Sequence, residues 1–390
     1  MPPATEGLVL QPSTLEATPV LPVLSGLADL GLPRGVGGVL DVGDTVWLNS
    51  GSAAIQLALR NSAVGPGTEV LVPAFNCPTM VTPIRALGAT PVFYRVTEQL
   101  DLAIEDIAAK LTSRCRGLIA PHLFGRIQNL GELRALCDAH RIVLVEDCAH
   151  MFFALADERP IGSWGHYAIA SPKKFFPLAE GGLLVSREKR IDASLLPRPG
   201  IVRALRDGFD MIDLATRSGR LRMLAGLVSR AKRLSGGSTQ PHASDSRHSV
   251  DSGDSVDSDD SVDSDDVRVA SVATRIAVRL FSHERVARKR RENFAAIRTS
   301  LAANRHMKLL DIQDPRAVPY MVPVILDRPA QQFADLKRRG LPMWRWEHSI
   351  MGVCDVTDRY AQALIQLPCH QALTGSERAS MLAILAEANA

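Results

Sequence analysis

Between residues 45 and 200, short apolar runs alternate with longer stretches of helical period. EVLVPAF (69–75), TPVFYRV (90–96), GLIAPHLF (117–124), IVLVEDC (142–148), HYAIAS (166–171) and GLLVS (182–186) read as strands. Between them, SAAIQLALRNS (52–62), TMVTPIRALG (79–88), LAIEDIAAKL (102–111) and LGELRALCDAHR (130–141) read as helices. Strands this uniformly apolar are buried on both faces. The alternation therefore predicts an α/β fold, a mostly parallel sheet flanked by helices.

Near residue 200 this pattern stops. Residues 203–233 are rich in arginine, and SVDSGDSVDSDDSVDSDD (249–266) writes one six-residue unit three times. Serine and aspartate offer nothing to bury, so the repeat is expected to be disordered. A tolerated loop expansion explains it more simply than a regulatory or partner-binding tail. Order resumes near Val267. RIAVRLFSHERVARKRRENFAAIRTSLAAN (275–304) reads as one long amphipathic helix with a basic outer face. AVPYMVPVIL (317–326) reads as a strand, AQQFADLKRRG (330–340) as a helix with a glycine stop, and GSERASMLAILAEANA (375–390) as a closing helix. The division is then a large α/β domain with an N-terminal arm (1–200), an arginine-rich and acidic segment (201–266), and a smaller C-terminal α+β domain (267–390).

Composition narrows the classes. With 390 residues, 46% of them hydrophobic, the chain can bury a large core. A net charge of +3 gives no global footprint for a nucleic-acid partner. The six cysteines are scattered without a C-x-x-C pair, so neither a metal site nor a disulfide framework is expected. No apolar run reaches the roughly 18 residues needed to span a bilayer. The first 30 residues lack a basic start and a continuous apolar stretch, so no secretory signal is read. A cytoplasmic location is expected.

Candidate chemistry lies at three places. Ser50, Gly51 and Ser52 open a helix, where free N–H groups and the helix dipole favour an anion. Alone, this is as well explained by an ordinary serine cap. Glu146 and Asp147 end an apolar strand, the edge at which open α/β sheets bind ligands. A carboxylate there is either a structural cap or the partner of a protonated heterocyclic nitrogen, and His150 follows three residues later. Ser171, Lys173 and Lys174 come between two buried strands. A desolvated lysine amine becomes nucleophilic and forms a Schiff base with a carbonyl, although an exposed basic turn is the commoner meaning of a lysine pair. In this order the three places supply an anion site, a pyridinium partner and a Schiff-base lysine, the groups that pyridoxal phosphate (PLP) requires.

The motifs LNSGSAAIQLAL, GPGTEVLVPAF, ALGATPVF, PHLFGR, VLVEDCAH, GSWG and SPKKFFPLAEGG, over about residues 48–186, resemble the fold-type I PLP enzymes. Within these they resemble the DegT-like nucleotide-sugar aminotransferases. RKRRENFAAI and LPCHQALT match more loosely. The spacing to Glu180, Gly181 and Gly182 fits that family at Lys174 and not at Lys173. The resemblance implies Lys174 as the lysine that holds PLP and Asp147 as the partner of the ring nitrogen. It places Gly51, Ser52, Ala53 and Ser171 around the phosphate and His150 near the ring. It also implies a homodimer that moves an amino group from an amino acid, glutamate by analogy, to a keto-sugar, with a nucleotide-linked sugar the expected acceptor. A lyase or dehydratase on the same scaffold, or a non-catalytic regulatory homologue, are the alternatives. Three features depart from the family. Cys77 stands where many members stack an aromatic residue on the cofactor, the usual Asn-Tyr-Arg segment is not visible, and the first 45 residues lack the usual opening.

Overall fold

The computed structural model describes residues 20–31, 35–188, 190–234, 267–311, 314–346 and 352–388. The acidic repeat at 249–266 lies outside the described residues.

Among the described residues, nine strands precede residue 190: β1 (Asp44–Leu48), β2 (Glu69–Pro73), β3 (Thr90–Tyr94), β4 (Cys115–Pro121), β5 (Val143–Asp147), β6 (Leu155–Ala156), β7 (Arg159–Pro160), β8 (Tyr167–Ala170) and β9 (Gly182–Ser186). Seven of them form one sheet in the order β1-β9-β8-β5-β4-β2-β3, and β6 pairs with β7 in a separate hairpin. Pairings β3–β2–β4–β5–β8 are all parallel, and β9 is antiparallel to both its neighbours. The expected mostly parallel sheet is therefore present. Buried positions run without a gap along β2, β8 and β9, as strands covered on both sides require. Helices α1 (Gly51–Arg60), α2 (Pro78–Ala86), α3 (Ile104–Ala109) and α4 (Leu130–His140) fall where the periodicity put them. The edge strand β1 was not read, because Asp44 and Thr45 break its apolar run.

The arginine-rich stretch, where no element was read, is helical. It forms α5 (Ile201–Arg217) and α6 (Ala225–Leu234). The chain then returns to the sheet edge. Val269 bridges to Leu48, the Arg268 N–H donates to Asn49 Oδ1, and the Ala270 N–H donates to the Trp47 carbonyl. The single long helix expected over 275–304 is two helices, α7 (Val272–Leu280) and α8 (His283–Leu301). Phe281 is extended and bridges to Leu30, while the Ser282 hydroxyl caps α8 by accepting the Arg285 N–H. The periodicity hid the break because Phe281 is itself buried. A second, antiparallel sheet follows, from β10 (Met307–Leu309), β11 (Met321–Leu326), β12 (Trp344–Arg345) and β13 (Leu364–Pro368), in the order β10-β11-β13-β12. Helices α9 (Pro329–Arg338), α10 (Asp355–Ala363) and α11 (Gly375–Glu387) complete it. The expected strand at 317–326 thus begins only at Met321.

Two buried polar networks fix the sheet's carboxyl edge. Glu146 in β5 accepts from the Gly162 N–H at 2.7 Å and from the Trp164 and Gly165 N–H groups at 2.8 Å. His122 Nδ1 accepts the Gln128 N–H, so its Nε2 carries the ring proton and donates to Glu146 Oε1 at 3.0 Å. A Cβ on Gly165 would lie 2.3 Å from the Tyr167 carbonyl oxygen, so this turn requires glycine. In the second network, the fully buried Arg290 of α8 donates to Gln371 Oε1 and to the carbonyls of Pro319, Tyr320, Lys174 and Phe175. It also lies over the Phe175 ring, 4.7 Å from its centre.

Replacing Arg290 with Met strips several buried carbonyls of their donor, so it should cost roughly 3 kcal/mol or more of unfolding free energy. Urea denaturation measures this, and a loss below about 1 kcal/mol would contradict the assigned role. A second expectation concerns acid. Burial alone raises the Glu146 pKa, but His122 and the turn's N–H groups outweigh it and hold the carboxyl below its ordinary value. A depressed folded pKa gives stability that is present above the unfolded value and is lost as pH falls through the folded one. Glu146→Gln should therefore destabilise by roughly 2 kcal/mol at pH 7, with the difference shrinking as pH drops below about 4.5. Urea midpoints at pH 7, 5 and 3.5 report it.

Candidate active site

The carboxyl ends of β1, β5 and β8 lie on one edge of the sheet, and each leads directly into a candidate residue. From β1 the chain enters α1 at Ser50, whose hydroxyl accepts the Ala53 N–H and so caps the helix. Gly51 opens that helix beside Ser171, and a Cβ built on it would lie 3.7 Å from the Ser171 Cβ. The two residues expected at a phosphate are thus neighbours, although they are 120 positions apart in the chain. Ser52 is buried and its hydroxyl donates to the Thr79 carbonyl. The Ser52 hydroxyl and the Ala53 N–H therefore have protein partners.

Asp147 is the last residue of β5 and is buried. Its Oδ1 accepts the Ala149 N–H at 2.8 Å. Burial raises its pKa, opposed by the Ala149 bond and by the positive charge of Lys174. Glu146, one residue earlier, points to the opposite face and is occupied by the turn at 162–165. Of the adjacent carboxylates, Asp147 is the one that responds to Lys174. His150 is also buried, and its pKa is pushed well below normal, first by burial and then by Lys174. Its ring is neutral at physiological pH, and its Nδ1 has no hydrogen-bond partner among the described residues.

Lys174 ends the short 3₁₀ turn Pro172–Lys174 that follows β8. Its ammonium lies 5.3 Å from the centre of the Tyr320 ring. Tyr320 in turn stacks on His150, with centres 4.4 Å apart. Lys174, Asp147 and His150 thus converge, with Ser171 and Gly51 on the same edge. The following Glu-Gly-Gly has a structural explanation. Glu180 is buried, accepts the Ser271 N–H at 2.7 Å and pairs with Arg268 at 2.7 Å. Gly181 has φ +153°, and a Cβ on Gly182 would lie 1.9 Å from the Ser50 carbonyl oxygen. The glycines let β9 pass against the start of α1.

Cys77 forms the cap position of α2, with its sulfur 2.8 Å from the Thr79 hydroxyl. Asn76 does not replace an aromatic there, because its amide donates to the Pro73 and Ala74 carbonyls. Phe75 is turned into an aromatic cluster instead. It stacks on Trp346 at 4.8 Å, and the Trp346 ring stands edge-on to Phe124 and His150. Tyr320, Trp346 and Arg290 are site residues that sequence reading missed. Aromatics are only 5% of the chain, so the Trp344–Trp346 pair was the available signal. Among the described residues, His122, Glu146 and Cys148 have spacing compatible with a metal ion. Both Glu146 oxygens and both His122 nitrogens are already engaged in hydrogen bonds, which makes the group a structural network.

The chain is similar to known proteins in both sequence and fold. The chain is 31% identical over 178 residues to GDP-perosamine synthase of Vibrio cholerae, covering 44% of this chain and 48% of the relative. It is 35% identical over 155 residues to the dTDP-3-amino-3,4,6-trideoxy-alpha-D-glucose transaminase of Streptomyces venezuelae, covering 37% and 40%. The alignments thus span about half the length of these relatives or less. Among solved structures, the fold is similar to that of sugar aminotransferase CalS13 from Micromonospora echinospora. The TM-score is 0.58 at 23% identity, with 88% of this chain and 87% of that chain covered. It is likewise similar to that of S. venezuelae DesV, with a TM-score of 0.62 at 22% identity over 89% and 85%. Residues 35–219, which carry every candidate from Gly51 to Lys174, match the DegT/DnrJ/EryC1/StrS aminotransferase family, the family that the motifs resemble.

Proposed function

We propose that this protein is a PLP-dependent aminotransferase that moves an amino group from an amino acid, glutamate by analogy with the family, to a keto-sugar, most simply a nucleotide-linked one. The observation that carries the reading is the convergence of Lys174, Asp147 and His150 at the carboxyl edge of the sheet. Their chemistry fits PLP. A buried carboxylate whose charge is penalised calls for a cation, and a protonated ring nitrogen supplies one. The unpartnered His150 Nδ1 offers a hydrogen bond to a polar ring substituent. The Ser171 hydroxyl and the α1 N-terminus, with its dipole, suit a phosphate.

When bound, PLP supplies an electron sink for the carbanion formed at the amino-acid α-carbon. The protein does the rest. Lys174 would hold the cofactor through its amine and, when that amine is free, would carry the proton of the donor α-carbon as general base and acid. Asp147 keeps the ring nitrogen protonated. Arg290 and Gln371 anchor the carbonyls of Lys174 and Phe175, so the lysine works from a fixed turn. Tyr320 and Trp346 bring the second sheet over the site and exclude water. A two-fold dimer in the cytoplasm completes the reading. The exposed ridge of Val272, Ile276 and Leu280 on α7 is the apolar face that such a partner would cover.

Lys174→Ala should abolish the visible absorbance of the lysine-bound cofactor, and Lys173→Ala should retain it. Borohydride reduction followed by peptide mapping checks the same point, and label on Lys173 would overturn the assignment. Asp147→Asn should leave the fold intact and slow the half-reaction with glutamate by on the order of 100-fold or more, the scale of losing one preorganised electrostatic group. Single-turnover absorbance measures it, and a near wild-type rate would remove Asp147 from the ring nitrogen.

A further inference from the structure

Helix α5 turns two of its three acidic residues inward, Asp210 alone being exposed, and α6 has none. Asp207 and Asp213 are buried, the first paired with Arg203 and the second with Arg217. Ala215 and Val228 are buried, but several other apolar side chains of the two helices and of the turn at 222–224 between them are left in water. Ile201 and Val202 are each 81% exposed, Leu205 70%, Met223 97% and Leu227 66%. A helix on the surface of a soluble protein ordinarily does the reverse. Arg206, Arg222 and Arg230 are exposed among these residues, and none has a carboxylate partner among the described residues. Arg220 fastens the α5–α6 connection to the C-terminal part of the chain through Glu377, at 2.7 Å, and through the Ala372 carbonyl. The pair of helices is therefore held on the body with this face outward.

We propose that the outward face of α5 and α6 is a docking surface for an anionic lipid bilayer, to which the protein binds peripherally. The argument is charge complementarity. Apolar side chains interspersed with unpaired guanidinium groups match the two halves of such an interface, the acyl boundary and the phosphate layer. A second copy fits less well, because two-fold pairing would bring together two identical faces that each carry Arg206, Arg222 and Arg230, with Asp210 the one exposed acidic residue of α5 to offset them. A peptide groove fits less well too, since Met223 stands almost clear of its neighbours. No helix among the described residues is long and apolar enough to cross a membrane, so the mode is surface binding. The inference uses none of the residues assigned to amino transfer and stands apart from that reading.

The test is co-sedimentation of the full-length protein with vesicles of phosphatidylcholine alone or mixed equally with phosphatidylglycerol. Binding to the mixed vesicles should exceed binding to the neutral ones by at least 10-fold. Arg206→Glu, Arg222→Glu and Arg230→Glu should each reduce it by roughly fivefold or more. Leu205→Glu combined with Met223→Glu should reduce it at least 10-fold while leaving the circular dichroism and the sedimentation mass unchanged. Absence of binding to mixed vesicles would overturn the proposal. So would binding that the apolar double variant does not weaken, since that is charge attraction without docking. A loss of dimer mass in the same variants would reassign the face to a second copy.

Discussion

The Arg290 guanidinium is fully buried, and its hydrogen bonds all go to neutral acceptors: four carbonyl oxygens and one amide. Burial lowers its pKa to about 10, which still leaves it charged at neutral pH. Burying an isolated cation is expensive unless each N–H finds an oxygen. The surrounding backbone must therefore present its carbonyls in one arrangement. That requirement links three segments distant in the chain: the lysine turn at 172–175, the entry to β11 at 319–320, and Gln371 after β13. The candidate active site depends on this link. Without it Tyr320 has no fixed place beside His150, and Lys174 has no fixed turn from which to reach Asp147.

Electrostatics at the sheet edge follow from a division of labour between two adjacent carboxylates. Strand geometry sends Glu146 and Asp147 to opposite faces. Glu146 meets His122 and a tight turn, and its charge is fully satisfied. Asp147 meets one backbone N–H and the field of Lys174, and burial leaves its charge under-compensated. The first arrangement suits structure and the second suits binding of a cationic ligand group. His150, neutral and with an Nδ1 that has no partner among the described residues, belongs to the second.

Much of this was legible in the sequence, for identifiable reasons. Strands β2, β4, β5, β8 and β9 are apolar on both faces, and the helices between them have clean period. The residue order Gly51, Asp147, Ser171, Lys174 becomes spatial convergence because parallel strands deliver their carboxyl ends to one edge. What stayed hidden depends on long-range packing. Phe281 and Ser282 end one helix and cap the next without disturbing the period. Tyr320 and Trp346 reach the site from a different sheet. In α5 several apolar side chains face outward while Asp207 and Asp213 face inward, so no element was read there.

The excursion between β9 and α7 departs and returns beside the same strand. Ser186 pairs with Asp44 at one end of β1, and Val269 bridges to Leu48 at the other. Both ends of the excursion are held by backbone hydrogen bonds and by the Glu180–Arg268 ion pair, independently of the residues between them. A break in the polypeptide inside that interval would leave two fragments that still share β1, the Arg290 network and the aromatic cluster. Such a molecule is in effect already divisible, and could be produced as two separate chains that reassemble around a common edge strand.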